Sequence, residues 1–588
     1  MLVFLVAFAV YANTLGHGFV LDDLAVITHN KYVQQGTGGI AAIWTTPSLS
    51  GFADRQVAAG TAVNDLYRPV SLTLFAIEHQ LFGSGAFAGH LFSVLLFAVC
   101  ALLLYRLLLR LLGHSRSYIA LLAALLFAVH PIHTEVVANI KSRDELLCCC
   151  FAFSALLAAL RYVDTGRLTL LIAAAFTYLI SLLSKETSVS FVLLLPLVCF
   201  LFAAADRRRI ILVGAVSVGV LCAYLYLRYS ILSSHNANHP ELIDFLENPL
   251  AAVSQGASAV ATAIEVMGRY LLLLLLPYPL SSDRTFDSIP FSGWGDVRVW
   301  MTVLAYLLLL VVAIRRYSKD KKDLIATGIL VFLATIAVFT NLFFLTGAVM
   351  ADRFLFLPSA GFCIAVAGIV SLLQQRGVSV KGVTYVFLPV LLLLGGMAIA
   401  RNADWRDNYS LATADLRHYP RNARLQHTVG YLLATERLQQ AGSDNEANGL
   451  LNEALQHYRT SLAIYSAQSK VHTDMADLFL RRQLYDSAQL HVAQALLLKP
   501  DDPVILSMLG GIYFAQARYD KTLELCRRAL QRDPGNVAIW NNMGICFLQL
   551  KQYDSVIAIS NQVLQSDPAN TLAAGNLATA QQQLAQQH

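Results

Sequence analysis

The chain has 588 residues, of which 56% are hydrophobic and 14% are charged, and its mean hydropathy is +0.55. This composition excludes an ordinary soluble protein and is typical of a polytopic membrane protein. The net charge of +5 is small, and the Lys and Arg residues cluster in short loops, so the charge indicates membrane orientation and not nucleic-acid binding. The nine cysteines lie mostly in apolar runs, which predicts packing residues and no disulfide framework.

Membrane-crossing helices need about 20 mostly apolar residues. Eleven stretches before residue 401 predict such helices, near 1–14, 86–112, 117–130, 145–161, 168–184, 188–205, 210–232, 298–315, 323–346, 354–375 and 380–400. We expect the first to be an uncleaved helix, since no A-x-A-like cleavage site follows it. The stretch 249–280 must cross twice or not at all, and Pro277 and Pro279 favour an interfacial or re-entrant segment there.

Basic loops fix the predicted orientation. Most of the Lys and Arg excess lies in the loops 106–116, 206–209, 315–323 and 374–382, which the positive-inside rule places in the cytoplasm. Eleven crossings then place Met1 inside and the chain after residue 401 outside.

The same count places four loops with ionisable residues on the outer side. They are 18–32, 131–144, 184–188 and 350–354. Charge beside a membrane, away from the basic loops, is costly unless it faces a wet cavity or a partner, so it indicates function. Any one of these loops could instead be a solvated connection, but four on one face of a chain so poor in charge favour a site.

The polar region after residue 421 has a 34-residue period. It relates Pro500, Pro534 and Pro568, and also Tyr485, Tyr519 and Tyr553. A 34-residue period with small residues in the first helix, Tyr-Asp before the second and Pro at the end is the tetratricopeptide signature. The clear units are 469–502, 503–536 and 537–570, with a degenerate pair at 422–465 and a capping helix at 571–588.

These patterns predict an all-α chain with a membrane domain and a helical solenoid. The membrane domain spans 1–401, a linker spans 402–421, and an extracytoplasmic repeat domain spans 422–588. Stacked repeats of this kind present a concave surface that binds peptides. Asn541, Asn542 and Asn576 are weak candidates for an acceptor groove, because Asn542 and Asn576 lie 34 residues apart; ordinary helix-surface asparagines are the alternative.

The order of these parts resembles the transmembrane-and-TPR-containing protein O-mannosyltransferases, which are glycosyltransferases of the GT-C class. The resemblance covers nearly the whole chain. It rests on "GFVLDD" (18–23), "RPVSLTLF" (68–75), "FAVHPIHTEVVANIKSRDELL" (127–147), "LLSKE" (182–186), "DRFLFLPSAGFC" (352–363) and the repeats. The combination of "HPIHTE" and "SRDE" is the most specific of these motifs.

The resemblance implies that a polyprenyl-phosphate sugar, expected to be a mannose, is transferred with inversion to Ser or Thr hydroxyls of an acceptor protein. Such a transfer needs a carboxylate that removes the proton of the attacking hydroxyl. Asp22 and Asp23, at the exit of the first helix, are the candidate bases, and their mutual repulsion predicts one raised pKa. The candidates for binding the donor phosphate or the acceptor are His130, His133, Glu135, Arg143, Asp144, Lys185, Glu186, Asp352 and Arg353.

No dedicated metal site is predicted, because Pro131 interrupts the spacing of His130 and His133 and no H-E-x-x-H or Cys/His set is present. Mg²⁺ or Mn²⁺ bridging a carboxylate and the phosphate stays open as a cofactor. Two other classes also stay open: a GT-C transferase acting on a lipid or glycan, and a non-enzymatic repeat-bearing membrane scaffold. The compartment is either a bacterial inner membrane with periplasmic repeats or an endoplasmic-reticulum membrane with lumenal repeats.

Overall fold

The computed structural model describes residues 1–53, 66–203, 207–235, 245–246, 248–251 and 256–586. These residues form helices and no strand, which confirms the predicted all-α class. The chain divides into two compact units, one made of most of the first 425 residues and the other of the residues from Gln426 onward.

The first unit is built mainly of long apolar helices. Seven of its described helices are long and apolar enough to cross a membrane, and the bent pair His114–Val129 and Pro131–Ala138 adds an eighth candidate. The α-helices in chain order are α1 (Leu2–Tyr11), α2 (Lys31–Gln34), α3 (Ile40–Thr45), α4 (Ser50–Ala53), α5 (Pro69–Phe82), α6 (Ala86–Leu112), α7 (Ser117–Val129), α8 (Thr134–Ala138), α9 (Arg143–Thr165), α10 (Leu168–Ser184), α11 (Phe191–Phe202), α12 (Arg207–His235), α13 (Ala257–Leu275), α14 (Val297–Lys319), α15 (Leu324–Ile336), α16 (Phe356–Gln375), α17 (Val380–Asp404) and α18 (Asn408–His418).

Every predicted span overlaps one of these helices, but the spans predicted at α1, α10, α11 and α15 lie on apolar helices of 10–17 residues, which are shorter than the qualifying spans. The span predicted at 323–346 ends as an α-helix at Ile336, and after the short 3₁₀ turn Ala337–Phe339 the chain leaves helical geometry. Asn341 there has a φ of 55°, a left-handed conformation that stops a helix. The helix α13 also meets the length and hydropathy criteria for a span, in the stretch where we predict an interfacial or re-entrant segment.

The helices α15 and α16 pack with their backbones in close approach, and this packing fixes the start of α16. A Cβ at Gly361 would lie 2.4 Å from the backbone nitrogen of Phe332, and one at Gly328 would lie 2.3 Å from that of Ala365. Small residues that let backbones approach are typical of helix pairs in membranes. The loop that precedes α16 is therefore held in a defined place.

The second unit is a series of helix pairs, as the 34-residue period predicts. The chain enters it within α19 (Ala423–Leu432), and the later helices are α20 (Asp444–Ile464), α21 (Ser469–Arg481), α22 (Tyr485–Leu498), α23 (Pro503–Ala515), α24 (Tyr519–Arg532), α25 (Val537–Gln549), α26 (Tyr553–Ser566) and α27 (Thr571–Ala585). Gln483, Ala517 and Lys551 have φ values of 57–59° at the turn inside each pair. These three residues are spaced by the repeat length, so the period is present in the backbone conformation as well as in the sequence.

Candidate active site

Two ion pairs join three of the predicted outer loops. The Lys141 ammonium lies 3.2 Å from the Asp22 carboxylate, and the Arg353 guanidinium lies 2.5 Å from that of Glu135. Asp22 belongs to the loop 18–32, whereas Lys141 and Glu135 belong to the loop 131–144. The loops that the sequence places on one face of the membrane therefore meet at the same place.

Asp22 and Asp23 differ sharply in environment, although they are adjacent. The Asp22 side chain is 63% exposed, and the neighbouring Lys141 ammonium lowers its pKa. Asp23 is fully buried, and burial raises its pKa to about 7. Its two carboxylate oxygens accept hydrogen bonds from the backbone N–H groups of Val20, at 3.0 Å, and Lys141, at 2.6 Å. Asp23 thus connects the loop 18–32 to the loop 131–144 through hydrogen bonds, whereas Asp22 presents a charged carboxylate to solvent.

Asp22 lies at the edge of an open cavity of about 180 Å³. The charged side chains in its wall are Asp22, Asp283, Arg284, Arg353 and Arg424. Three guanidinium groups thus line the cavity, each paired with a carboxylate (Arg284 with Asp352, Arg353 with Glu135 and Arg424 with Asp283), and the exposed Asp22 carboxylate lies at its rim. Such a wall suits an anionic group, because charge-assisted hydrogen bonds from Arg are among the strongest that proteins form with phosphates.

Two buried carboxylates hold the segment that forms one side of this cavity. Asp352 pairs with the Arg284 guanidinium and accepts a 2.8 Å hydrogen bond from the Ser281 N–H. Asp415 accepts hydrogen bonds from the N–H and the hydroxyl of Ser282, at 2.8 and 2.6 Å. Asp352, a predicted site residue, therefore holds the wall of the cavity and is not among its described lining residues.

A second cluster of charges is buried behind these loops. The Arg68 guanidinium bridges Asp144, at 2.7 Å, and Glu186, at 2.5 Å. Lys185 bridges Asp144, at 3.1 Å, and Glu145, at 3.0 Å. Buried charges are tolerated when they are paired in this way, and removing one partner is strongly destabilising. The predicted residues Asp144, Lys185 and Glu186 thus come together, with Arg68 and Glu145 completing the cluster.

Three predicted phosphate ligands point elsewhere. His130 Nε2 lies 3.0 Å from the Leu274 carbonyl oxygen, and His133 Nε2 lies 2.8 Å from the Ser359 hydroxyl. Arg143 is completely buried, where it pairs with Glu78. None of the three is among the described residues that line the cavity. Their side chains make packing contacts outside it.

The three asparagines of the repeat region lie in different environments. Asn541 is buried and its amide donates to Asn570 Oδ1 at 3.2 Å, and Asn576 is also buried. Asn542 is exposed and lines a cavity of about 110 Å³ with Ser507 and Phe514. Asn542 is therefore the one of these three side chains that faces an open groove.

Three charged residues of the site were not among the candidates predicted from the sequence. Arg284 and Arg424 line the cavity, and Lys141 pairs with Asp22. Lys141 lies within the motif 127–147, so its position next to the other charged residues of that motif could have identified it as a site residue. Arg284 and Arg424 lie in stretches with no recognisable motif, and only the fold brings them to Asp22.

No group of three or more His, Cys, Asp or Glu residues is arranged to hold a metal ion within the described ranges. Nε2 of His130 and Nε2 of His133 make the contacts given above, and His130 Nδ1 accepts a 3.3 Å hydrogen bond from the Ile132 N–H. Mg²⁺ or Mn²⁺ therefore has no ready-made ligand set in this part of the chain.

Comparison with known proteins follows the same division of the chain. Residues 68–229 match the family of dolichyl-phosphate-mannose-protein mannosyltransferases, and residues 513–580 match a tetratricopeptide repeat family. A protein O-mannosyl-transferase of Caenorhabditis elegans, F38B6.6, is 27% identical over 75% of this chain and 60% of its own length. The chain is thus similar to proteins named protein O-mannosyl-transferases.

Two further relatives extend this result. The mouse protein O-mannosyl-transferase TMTC3 is 28% identical over 73% of this chain and 48% of its own length, and Drosophila melanogaster Tmtc3 is 28% identical over 83% and 58%. The resemblance stated from the motifs is thus confirmed. The chain spans about half to three fifths of the length of these protein O-mannosyl-transferases.

Proposed function

We propose that this chain transfers a mannose from a polyprenyl-phosphate donor to Ser or Thr hydroxyls of an acceptor protein outside the cytoplasm. Its relatives are named protein O-mannosyl-transferases, and its membrane unit supplies a setting for a lipid-linked donor. The observation that carries the proposal is the exposed, ionised Asp22 carboxylate at the rim of a cavity that contains Arg284, Arg353 and Arg424.

Asp22 is the proposed general base. The acceptor hydroxyl oxygen attacks the anomeric carbon, its proton passes to the Asp22 carboxylate, and the bond between that carbon and the phosphate oxygen breaks with its electron pair on the phosphate. A base has to be ionised and accessible, and Asp22 meets both conditions. Asp23 is not accessible, because it is buried with both oxygens bonded to backbone N–H groups, and burial raises its pKa to about 7.

Arg353 and Arg424 are the proposed partners of the departing phosphate. Donors placed where negative charge develops stabilise the transition state more than the ground state. Glu135 fixes Arg353 through two contacts, at 2.5 Å to the guanidinium and at 3.0 Å from the Arg353 backbone N–H. Glu135 is therefore a positioning residue in this scheme.

The buried cluster around Arg68 and Lys185 is proposed to support the loops and not to touch the sugar. Its members neutralise one another at 2.5–3.1 Å, which leaves the loops 131–144 and 184–188 fixed on one side of the cavity. Arg68, Asp144, Glu145 and Lys185 are buried, so loss of any one of these four charges should destabilise the membrane unit.

The repeat unit is proposed to recruit the acceptor protein. Tetratricopeptide repeats bury their apolar faces by stacking and leave a concave face for an extended peptide. The open groove at Asn542, with Ser507 and Phe514 beside it, is the place where we expect the acceptor to bind. No step of the sugar transfer requires these residues.

The proposal is tested by the loss of glycosylation in cells that lack the gene. Glycoproteomics should find hexose on Ser or Thr residues of extracytoplasmic proteins in the wild type, and the same sites should be unmodified in the deletion strain. Complementation with the wild-type chain should restore them, and complementation with Asp22→Asn should not. Unchanged protein glycosylation together with altered lipid or glycan mannosylation would instead support a different acceptor class.

A further inference from the structure

The loop between α15 and α16 exposes three successive apolar side chains. Leu342, Phe343 and Phe344 are 39%, 78% and 56% exposed. We define residues 340–349 as the apolar loop. A contiguous exposed apolar patch of this kind is unfavourable in water. Irregular backbone is not exposed to lipid in the hydrocarbon core of a membrane. The apolar loop is therefore expected to lie at the membrane surface and to have an apolar partner there.

The base of the apolar loop is fixed by hydrogen bonds. Asn341 Oδ1 accepts from the Thr346 N–H at 2.7 Å, and its amide donates to the carbonyl oxygens of Ala348, at 3.3 Å, and Val349, at 3.2 Å. The Asn248 amide donates to the Thr346 carbonyl oxygen at 2.7 Å. The exposed side chains are thus presented by a braced turn.

The apolar loop also lies at the level where α15 ends and α16 begins. The rings of Phe339 and Phe354 are stacked with centroids 4.2 Å apart, so both ends of the loop are packed together. Phe354 follows Arg353, whose guanidinium lines the cavity. The apolar loop is therefore anchored where α15 ends and α16 begins, beside a residue that lines the cavity.

The end of the apolar loop forms part of the cavity wall. Gly347 and Ala348 line the cavity together with Arg353 and Arg424. One short turn of chain thus carries apolar side chains at its tip and borders a cavity lined by arginine guanidinium groups at its base. This pairing matches an amphiphile with an anionic headgroup and a long apolar tail.

We propose that the apolar loop binds the polyprenyl chain of the donor where the chain leaves the cavity. The inference rests on the proposed function, because it assigns the headgroup of the same lipid to the cavity. Leu342, Phe343 and Phe344 contact isoprene units beyond the first two from the phosphate, and the braced base keeps the phosphate aligned with Arg353. The residues recognise the length of the lipid and not the identity of the sugar.

The test compares donors that differ only in tail length. The full chain in detergent is assayed with a long-chain polyprenyl-phosphate mannose and with citronellyl-phosphate mannose. The double variant Phe343→Ser and Phe344→Ser should raise KM for the long-chain donor about tenfold, the loss expected when one well-buried apolar contact disappears, and leave KM for the citronellyl donor unchanged. Phe343→Leu with Phe344→Leu should restore the long-chain KM.

Phe87→Ser is the matched control, since Phe87 is 60% exposed and does not line the cavity. It should change neither KM. An equal loss with both donors, or no loss with either, would overturn the proposal.

Photo-crosslinking separates this proposal from the proposed function. A photoreactive polyprenyl phosphate without a sugar should label the peptide that contains residues 340–349, and unlabelled polyprenyl phosphate should compete where phosphatidylcholine does not. This result would stand even if no mannose transfer were measured. Labelling that phosphatidylcholine removes equally well would show that the bilayer alone covers the loop and would overturn the inference.

Discussion

Arg353 binds Glu135 through its guanidinium, at 2.5 Å, and through its backbone N–H, at 3.0 Å, although 218 positions separate the two residues. Residues in contact lie on the same side of the membrane, so an even number of crossings must separate them. The predicted spans at α9, α10, α11, α12, α14 and α15 supply an even number without α13. The four helices between them that meet the length and hydropathy criteria for a span, α9, α12, α13 and α14, also supply an even number, so the contact agrees with a crossing α13 as well as with a re-entrant one.

The first prediction concerns this topology. Ser258, at the start of α13, and Gly295, in the segment that follows it, are exposed, so single cysteines at these positions should be labelled from the same, outer side by a membrane-impermeant maleimide. The exposed Cys222 is first replaced by Ser to remove its background. A reporter fused after His588 should likewise be active only outside the cytoplasm. Labelling of the two cysteines from opposite sides would make α13 a crossing helix.

The second prediction uses the ion pair between Asp22 and Lys141. Because Lys141 lowers the pKa of Asp22, Lys141→Met should raise that pKa, and the acidic limb of the kcat/KM profile should move to higher pH. Activity at pH values well above that limb should change little. Lys381→Met, in a loop predicted to be cytoplasmic, is the control and should leave the profile in place.

The third prediction separates the roles of the two neighbouring aspartates through stability. Asp23→Asn retains only one oxygen for the two N–H groups of Val20 and Lys141, so the free energy of unfolding should fall by about 1–3 kcal/mol. Asp22→Asn keeps all backbone contacts and should leave the melting temperature in detergent unchanged. Equal melting temperatures for both variants would show that Asp23 does not have the proposed structural role.

The fourth prediction concerns the donor phosphate. Arg353→Gln and Arg424→Gln should each weaken binding of polyprenyl-phosphate mannose about tenfold or more, because charge-assisted hydrogen bonds contribute roughly 1.5–3 kcal/mol. Arg406→Gln is the matched control, since Arg406 is 69% exposed and pairs only locally with Asp407. Donor affinity that is the same in all three variants would place the phosphate elsewhere.

The fifth prediction concerns the division of labour between the two units. A chain that ends after Leu425 keeps Arg424 and the whole first unit, and should still bind the donor and modify a short Ser/Thr peptide. It should lose modification of full-length acceptor proteins, because the repeats are absent. Full-length acceptors modified at the wild-type rate would assign the repeats to some other partner.

The sequence predicts local features of this protein better than it predicts their assembly. Apolar runs and a 34-residue period determine helices through burial alone, so the helices and the repeats follow directly from the sequence. The cluster of Asp144, Lys185 and Glu186 is also foreseeable, since charges beside a membrane must find partners.

The contents of the cavity depend on contacts between distant segments, which no local pattern records. Arg284 lines the cavity because its guanidinium pairs with Asp352. Arg424 also lines the cavity, although it follows the stretch 402–421, for which we predict a linker. That stretch contains α18, whose Asp415 braces the cavity wall. The different exposure of Asp22 and Asp23 likewise follows from which of them meets the N–H groups of Val20 and Lys141.

The central claim is that Asp22 removes the proton of the acceptor hydroxyl. It is tested most directly by single-turnover mannose transfer from polyprenyl-phosphate mannose to a Ser/Thr peptide, measured with purified wild-type chain and Asp22→Asn. The account predicts that Asp22→Asn binds donor and peptide normally and transfers mannose about 10²–10⁴-fold more slowly. Transfer by Asp22→Asn at the wild-type rate would contradict it.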